Sequence, residues 1–225
     1  MKRGLIVFAK EPLPGRVKSR LAATIGDIAA AELYQAMLRD VLNLSRKLTG
    51  VETVVYWDCP EQTLPLLAER FGCRSRRQPA GDLGVRMQAA FAEMFDDHEI
   101  CCIIGSDTPD LPLAYVQEAF DLLAAETSDT VFGPSADGGY YLLGLRRVIP
   151  QLFTAIDWST DLVLRQSMAA AASAGCRATL LPEWHDIDTH ADLEAFGKRA
   201  GGVSAPRNGS PSLGGLMTLK QLLHV

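Results

Sequence analysis

The segment GLIVFAKEPLPGRVKSRL, residues 4–21, gives the clearest indication of the fold class of the chain. Its apolar run ends at Phe8 and passes almost directly into a basic loop that contains Pro12 and Pro14. A buried strand followed by such a loop and then by a helix is a common way for α/β enzymes to hold phosphate groups. We therefore expect an α/β protein in which the rest of the chain completes a site around this loop.

The remaining sequence alternates short apolar runs with helix-period patterns, which predicts βα units and a mainly parallel sheet. The run at 100–105 is the most apolar, and we expect it near the sheet centre because strands covered on both faces are apolar throughout. The Asp-Gly-Gly turn at 137–139 predicts a hairpin. The predicted strands are 5–8, 53–57, 100–105, 130–132, 140–145 and 178–181, and 73–78 is either a short strand or a loop.

Helical periodicity is clearest at 27–48, where apolar residues recur three and four positions apart. Thr189 and Asp192 form a capping pattern before the last helix. The predicted helices are 16–23, 27–48, 61–71, 113–125, 146–153, 160–174 and 189–200. A further helix is predicted to follow the segment 81–84 and to include Phe95.

Length and composition indicate one domain followed by a tail. The chain has 225 residues, of which 48% are hydrophobic and 22% charged, and its apolar runs are far shorter than the roughly 20 residues of a membrane span. We expect the domain at 1–200. Residues 201–225 are predicted to form a Gly/Ser/Pro-rich linker and a short helix. This helix docks either on the domain or on a partner subunit, which leaves a homodimer open.

The charge distribution favours a small anionic ligand. The net charge of −5 does not indicate a nucleic-acid partner. Residues 1–20 nevertheless carry six basic side chains against Glu11, a local net charge of +5. The five cysteines form no Cys-x-x-Cys pair, and no small-residue cleavage site follows the basic N-terminus. We therefore expect a reducing, cytoplasmic location without a signal peptide.

The basic loop has the composition of a diphosphate or triphosphate site. Arg16, Lys18 and Arg20 alternate, so an extended chain would place all three on one side, whereas in a helix only Arg16 and Arg20 would share a face. The patterns G-x-G-x-x-G and G-x-x-x-x-G-K-[ST] are absent, which argues against a dinucleotide oxidoreductase and a P-loop NTPase. The loop residues predicted to contact the nucleotide are Ala9, Lys10, Gly15, Arg16, Lys18 and Arg20.

Acidic residues follow two predicted strands. Asp107 comes directly after the run at 100–105, at a carboxyl strand end where α/β sheets bind ligands. There it would hold Mg²⁺ or Mn²⁺ against the phosphates, whereas Asp110 is more typical of a helix cap. Asp186 and Asp188 are separated by one residue, so in an extended strand they share a face and could reach the same ion. The alternative is a solvated turn with Thr189 as the helix cap.

The segment GPSADGGYYLLG, residues 133–144, is a candidate sugar or acceptor site. Its glycines allow close approach of a ligand to the backbone, and a carboxylate among them suits a polyol. A hairpin turn with core tyrosines is the alternative interpretation. The residues predicted to contact the sugar or acceptor are Ser135, Asp137, Gly138, Gly139 and Tyr140.

The segment GDLGVRM, residues 81–87, lies just after Gln78. Gln78, Gly81 and Asp82 are candidates for contacts with the base or ribose, and Arg86 for a phosphate. The alternative is an ordinary helix start with Asp82 near its positive end.

Four segments taken together, 8–21, 81–87, 105–111 and 133–144, resemble the bacterial radical-SAM/selenodomain-associated or arsenosugar-type glycosyltransferases. That family belongs to the nucleotide-diphospho-sugar transferase superfamily, so the resemblance implies a GT-A fold over about 4–196: a three-layer, Rossmann-like, mixed and mainly parallel sheet flanked by helices. Residues 18–21 also resemble 2-phospholactate guanylyltransferases, and 188–193 resemble the end of molybdenum-cofactor guanylyltransferases.

The resemblance implies roles for individual residues. Lys18, with Arg16 and Arg20, would bind the nucleotide phosphates. Asp107 would be the first metal ligand, where glycosyltransferases carry Asp-x-Asp. Because the acids here are three residues apart, Asp188 becomes the second candidate ligand. The basic loop also departs from the glycine-rich loop of typical nucleotidyltransferases.

These patterns predict a metal-dependent glycosyltransferase that moves a sugar from a nucleotide-diphospho-sugar to a small acceptor. Asp107, Lys18 and Asp137 would be its catalytic residues. The alternative is a nucleotidyltransferase that joins an NTP to a phosphorylated metabolite and releases pyrophosphate, since the same residues would serve both reactions. A third interpretation is a non-catalytic nucleotide sensor.

Overall fold

The computed structural model describes residues 1–201, which form a seven-stranded sheet with helices on both faces. The strand order across the sheet is β3-β2-β1-β4-β6-β5-β7. The strands are β1 (Arg3–Lys10), β2 (Val51–Asp58), β3 (Arg74–Arg77), β4 (Ile100–Ile104), β5 (Thr130–Pro134), β6 (Tyr140–Leu145) and β7 (Ala178–Leu180). The helices are α1 (Ser19–Ile25), α2 (Asp27–Ser45), α3 (Leu64–Phe71), α4 (Leu83–Met94), α5 (Leu113–Ala124), α6 (Val163–Ser173) and α7 (His190–Gly201).

The predicted mixed, mainly parallel sheet is confirmed. Strands β1, β2, β3 and β4 pair in parallel, as do β5 and β7, and β6 runs antiparallel between β4 and β5. The predicted hairpin is therefore present, and β4 is the central strand, as its continuous apolar sequence indicated. Because Lys10 pairs with Asp58 and Val7 with Ile104, the carboxyl ends of β1, β2 and β4 meet at one edge.

Alternating residues of the strands build two cores, one on each sheet face, which makes the fold three-layered. Helices α2, α3 and α5 cover one face and α4 and α6 the other. The first core includes Leu5, Val7, Val55, Trp57, Phe120 and Leu123. The second includes Ile6, Val54, Tyr56, Phe91, Ile103 and Phe132. A third cluster, between α1, α2 and α7, includes Val17, Leu21, Tyr34, Ile187, Leu193 and Phe196.

The structure corrects two predicted helices. Residues 146–153 form only a 3₁₀ turn at Pro150–Phe153, because Ile149 before the proline is extended, with φ −118° and ψ 93°. The helix predicted from residue 16 begins at Ser19, after a loop. The capping pattern of Thr189 and Asp192 is confirmed: Asp192 Oδ2 accepts from Thr189 N, and Thr189 Oγ1 accepts from Asp192 N.

The predicted C-terminal linker and short helix lie outside the described residues, apart from Gly201 at the end of α7. Within residues 1–201, none of the helices combines the length and the apolar composition that a membrane crossing requires.

Two leucine truncations should separate core packing from surface position. Leu123 of α5 is 0% exposed and Leu66 of α3 is 66% exposed. We expect Leu123→Ala to lower the free energy of unfolding by about 2–5 kcal/mol, since it leaves a cavity in the first core. Leu66→Ala should change it by less than about 0.5 kcal/mol. Urea denaturation of both variants measures the difference, and equal losses would contradict the assignment of α5 to the core.

Candidate active site

A buried lysine joins the basic loop to the acidic segments at the carboxyl edge of the sheet. Lys18 Nζ lies 3.0 Å from Asp107 Oδ2 and 3.3 Å from Asp188 Oδ1. Its side chain is only 5% exposed, whereas the two carboxylates are about one-third exposed. Burial acts to lower the pKa of Lys18, but attraction to Asp107 and Asp188 outweighs it and raises that pKa. The ammonium therefore stays charged at neutral pH.

Lys18, whose side chain points into the protein toward Asp107 and Asp188, also has an unusual backbone conformation. Lys18 precedes α1 as its N-cap residue and adopts φ 50° and ψ 48°, the left-handed region that residues with a Cβ rarely occupy. Gly15 also has a positive φ of 75°, where glycine is unstrained. Left-handed residues at non-glycine positions cluster at functional sites.

The segment 186–188 is held against Asp107 through its backbone. Ile187 N donates to Asp107 O at 3.1 Å, and the Ile187 side chain is fully buried in the third cluster. Asp188 thereby reaches Lys18, and Asp186 lies near enough to Asp107 for their negative charges to repel. Asp188 N donates to Asp192 Oδ2 at 3.1 Å, so the cap of α7 also restrains Asp188.

Asp186 is a third carboxylate near this lysine. Burial, followed by the negative charges of Asp107 and Asp137, raises the pKa of Asp186 to about 6, although Lys18 opposes the rise. The site thus carries more negative charge than Lys18 alone compensates.

The donor set fits a divalent ion that binds together with nucleotide phosphates. Among residues 1–201, no three His, Cys, Asp or Glu side chains converge closely enough to form a metal site by themselves. Mg²⁺ typically takes one or two carboxylates and completes its shell with phosphate oxygens and water. Asp107 and Asp188 already share one cation, and Asp186 adds negative charge nearby. Asp107 and Asp188 remain the predicted ligands.

The four basic side chains of the loop differ in burial. Only Lys18 is buried. Arg20 is 75% exposed and reaches Asp188 Oδ2 at 3.2 Å, and the side chains of Arg16 and Lys10 are exposed. Ala9 is buried at the end of β1, where its carbonyl accepts a hydrogen bond from Gln78 Nε2 at 3.2 Å.

Gln78 is committed to the protein, which argues against its predicted contact with a base. Its side-chain amide also donates to Tyr56 O at 2.8 Å, and its Oε1 accepts from Arg86 at 3.2 Å. Arg86 also lies 3.7 Å from Asp58, so these residues connect the ends of β1 and β2 to α4. Asp82 caps α4 by accepting from Val85 N at 2.9 Å, as the ordinary helix-start alternative predicted, and Gly81 precedes it with φ 129°.

The segment 135–140 forms a turn between β5 and β6. Asp137 Oδ1 accepts hydrogen bonds from Ser135 Oγ and from Gly139 N, which leaves Oδ2 for a ligand. Gly138 packs closely against the backbone of Asp161, where a Cβ would clash. Tyr140 lies against the second core and packs edge-on against Phe132, with ring centroids 5.5 Å apart. It therefore matches the core-tyrosine alternative.

Asp110 has a structural role. It accepts from Trp184 Nε1 and from Arg199, each at 3.3 Å, which ties α7 to the loop after β4. No side chain caps α5, whose N-cap residue is Pro112, so the prediction that Asp110 caps this helix is wrong. These contacts occupy Asp110 within the protein, so Asp107 and Asp188 stay the predicted ligands.

Tyr34 of α2 is a site-supporting residue that the sequence patterns missed. Its hydroxyl accepts from Lys10 N at 2.8 Å and lies 2.7 Å from Ser106 Oγ. In the sequence it occupies an ordinary apolar position of an amphipathic helix, so its bonding partners could not be anticipated.

Comparison with known proteins connects this geometry to transferases. The model of a family described as "Uncharacterized protein conserved in bacteria (DUF2064)" matches residues 41–160. The chain is 35% identical over 138 residues to a 3-phospho-D-glycerate guanylyltransferase of Phenylobacterium zucineum (strain HLK1). That match covers 59% of this chain and 62% of the relative, so less than two thirds of the relative's length is spanned.

Solved structures share the fold. A Desulfovibrio desulfuricans G20 protein, provisionally named a nucleotide-diphospho-sugar transferase, is 30% identical with a TM-score of 0.88 over 99% of this chain and 97% of its own. CMP:2-keto-3-deoxy-manno-octonic acid synthetase complexed with CTP is 14% identical with a TM-score of 0.60 over 90% of this chain and 100% of its own. A Mycobacterium tuberculosis H37Rv protein complexed with manganese is also 14% identical, with a TM-score of 0.52 over 86% and 96%.

The guanylyltransferase relative and the Desulfovibrio desulfuricans structure are named as transferases, and the synthetase was solved with CTP. They confirm the predicted nucleotide-diphospho-sugar transferase fold. The guanylyltransferase relative favours the nucleotidyltransferase alternative over sugar transfer. The radical-SAM and arsenosugar association of the sequence resemblance stays a prediction.

Removing the Asp110 carboxylate should affect stability. We expect Asp110→Ala to lower the free energy of unfolding by about 1–2 kcal/mol, because Arg199 and Trp184 lose a partly buried acceptor. Urea denaturation of the variant and of wild type measures the loss, and an unchanged free energy of unfolding would contradict the structural role of Asp110.

Proposed function

The chain belongs to the DUF2064 family of bacterial proteins, and we propose that it is a nucleotidyltransferase. It transfers a guanylyl group from GTP to the phosphate of a small phosphorylated acid such as 3-phospho-D-glycerate and releases pyrophosphate. The similarity to a 3-phospho-D-glycerate guanylyltransferase supports this substrate class.

The position of Lys18 is the observation that carries the proposal. Its ammonium lies between Asp107 and Asp188 at the carboxyl edge of the sheet, where ligands bind in open α/β folds. An ammonium has three N–H donors. Two are directed at the carboxylates, and the third is left for a phosphate oxygen. A triphosphate bound here would meet Lys18 and, at the rim, the exposed Arg16 and Arg20.

The reaction is a substitution at the α-phosphorus of GTP. An oxygen of the acceptor's phosphate forms a bond to this phosphorus, the bond from the phosphorus to the oxygen that bridges to the β-phosphate breaks, and pyrophosphate leaves with the electron pair. The buried Lys18 ammonium stabilises the charge that develops on the phosphate oxygens. Asp137 Oδ2 orients the acceptor through its hydroxyl group.

Asp107 and Asp188 would hold Mg²⁺ or Mn²⁺. When bound, the ion neutralises the charge of the phosphates and makes the α-phosphorus more electrophilic. Other residues restrain this site without the ion. Ile187 and Asp192 restrain the carboxylate segments through hydrogen bonds, and Tyr34 restrains the basic loop.

A second candidate is transfer of a sugar from a nucleotide-diphospho-sugar. The Desulfovibrio desulfuricans structure favours it, because it is 30% identical across nearly the whole chain. In both reactions a phosphate-bearing group would leave next to Lys18, so the basic loop would have the same role in each. The two reactions are therefore distinguished by the substrates that the protein uses.

Pyrophosphate release tests the main proposal. We expect steady release when the protein is incubated with GTP, 3-phospho-D-glycerate and MgCl₂, and loss of release when the metal is removed with EDTA. Asp107→Asn should lower the rate at least about a hundredfold, because it removes a predicted ligand charge beside the reacting phosphates. Asp97→Asn, an exposed acid before β4 at the opposite edge of the sheet, is the matched control.

Two outcomes would overturn the assignment as a nucleotidyltransferase, and a third would overturn the assignment of Asp107. Sugar transfer from a GDP-sugar or UDP-sugar without pyrophosphate release from any NTP would favour the second candidate. Tight nucleotide binding that is independent of metal, without turnover of either substrate class, would indicate a sensor. Wild-type turnover by Asp107→Asn would refute its assignment as a metal ligand.

Truncation of the buried lysine tests the phosphate contact directly. We expect Lys18→Ala to weaken binding of Mg·GTP about 10- to 150-fold, the equivalent of about 1.5–3 kcal/mol for a charge-assisted hydrogen bond. Lys47→Ala, an exposed lysine after α2 at the opposite edge of the sheet, should bind as wild type does. Calorimetric titration provides the dissociation constants, and equal affinity of Lys18→Ala and wild type would refute the role.

A further inference from the structure

A single buried hydroxyl connects the two loops that form the candidate site. Tyr34 is 4% exposed, and its hydroxyl oxygen accepts from Lys10 N at 2.8 Å. The same oxygen lies 2.7 Å from Ser106 Oγ, and Ser106 is itself 5% exposed. Lys10 is the last residue of β1, and Ser106 directly precedes Asp107.

The connection lies beyond the end of the sheet ladder. Pairing between β1 and β4 ends at Val7 and Ile104, so the chains that leave these strands are not held together by further ladder bonds. One of these chains leads to Lys18 and the other to Asp107. The Tyr34 hydroxyl spans this gap, and the Lys18–Asp107 ion pair spans it further out.

The ring of Tyr34 is fixed by residues that adjoin the site. It belongs to the third cluster with Val17, which precedes Lys18, and Ile187, which lies between Asp186 and Asp188. Burial raises the pKa of Tyr34 to about 12, so the hydroxyl is neutral at physiological pH and retains its hydrogen. With its ring packed and its hydroxyl bonded twice, Tyr34 has one defined position.

We propose that Tyr34 is a positioning residue of the nucleotidyl transfer reaction, whose hydroxyl sets the separation of the basic loop from Asp107. Lys18 and Asp107 then engage the nucleotide phosphates in one geometry. Tyr34 is buried and acts through Lys10 and Ser106. The predicted effect of Tyr34 on the reaction rate rests on the proposed function. The coupling of the two loops by Tyr34 does not depend on which reaction the protein catalyses.

Tyr34→Phe removes the hydroxyl and keeps the ring, and Tyr56→Phe is its matched control. Tyr56 is also buried, and its hydroxyl donates to Glu93 at 2.9 Å on the other face of the sheet. We expect Tyr34→Phe to lower kcat for pyrophosphate release about tenfold or more while KM for GTP stays within about threefold. Tyr56→Phe should leave both constants within about twofold, although both variants lose a similar amount of thermal stability.

A double-mutant cycle tests whether Ser106 transmits the effect. Ser106→Ala removes one partner of the hydroxyl and keeps the bond to Lys10. If the hydroxyl acts in part through Ser106, the kcat of the double variant should be close to that of Tyr34→Phe alone. Fully additive losses, or an equal loss of kcat in Tyr56→Phe, would overturn the proposal.

Amide hydrogen exchange separates this inference from the proposed function. In Tyr34→Phe the amides of 10–18 and of 105–108 should both exchange faster than in wild type and in Tyr56→Phe. Faster exchange in only one of the two loops would refute the coupling. If the wild-type protein releases no pyrophosphate, the proposed reaction fails, and the exchange result still decides the role of Tyr34.

Discussion

The ion pairs of the Lys18 ammonium with Asp107 and Asp188 are the interaction on which the arrangement of the site depends. An almost fully buried ammonium is costly to desolvate, and two carboxylates within 3.3 Å offset that cost. The three side chains come from the basic loop, the end of β4 and the segment before α7, so this contact draws together parts of the chain that are distant in sequence. Asp186 adds further negative charge, which would favour the divalent cation proposed to bind here together with phosphates.

Apolar packing supports these charges from behind. The third cluster places Val17 next to Lys18 and Ile187 between the two acids of the last segment. Backbone bonds then fix the carboxylates: Ile187 N to Asp107 O, and Asp188 N to the cap formed by Asp192. The charged atoms are therefore positioned by buried neighbours and main-chain groups, which suits a site that stabilises charge during a reaction.

The two candidate reactions place similar demands on this architecture. Nucleotidyl and sugar transfer both require a cationic loop and a carboxylate edge that receive phosphates, and the relatives of the chain include proteins named for each. We propose that the second substrate binds near the turn at 135–140, and that the two reactions would differ there. There Asp137 is held by its own turn and keeps one oxygen available.

Most of the fold, and Lys18 with its two acids, could be predicted from residue order. Hydrophobic periodicity and turn residues are local signals, so they located six of the seven strands, left 73–78 open as a strand or a loop, and indicated the central position of β4 and the capping pattern before α7. Local signals also predicted that Asp107 and Asp188 lie at one edge of the sheet. Each follows a predicted strand, and the carboxyl ends of parallel strands lie at the same edge. Local signals could not show that the Gln78 amide donates to backbone carbonyls of β1 and β2. Nor could they show that Asp110 binds Arg199, or that the Tyr34 hydroxyl connects two loops. Those partners lie between 22 and 89 residues away in sequence, and long-range packing chose them.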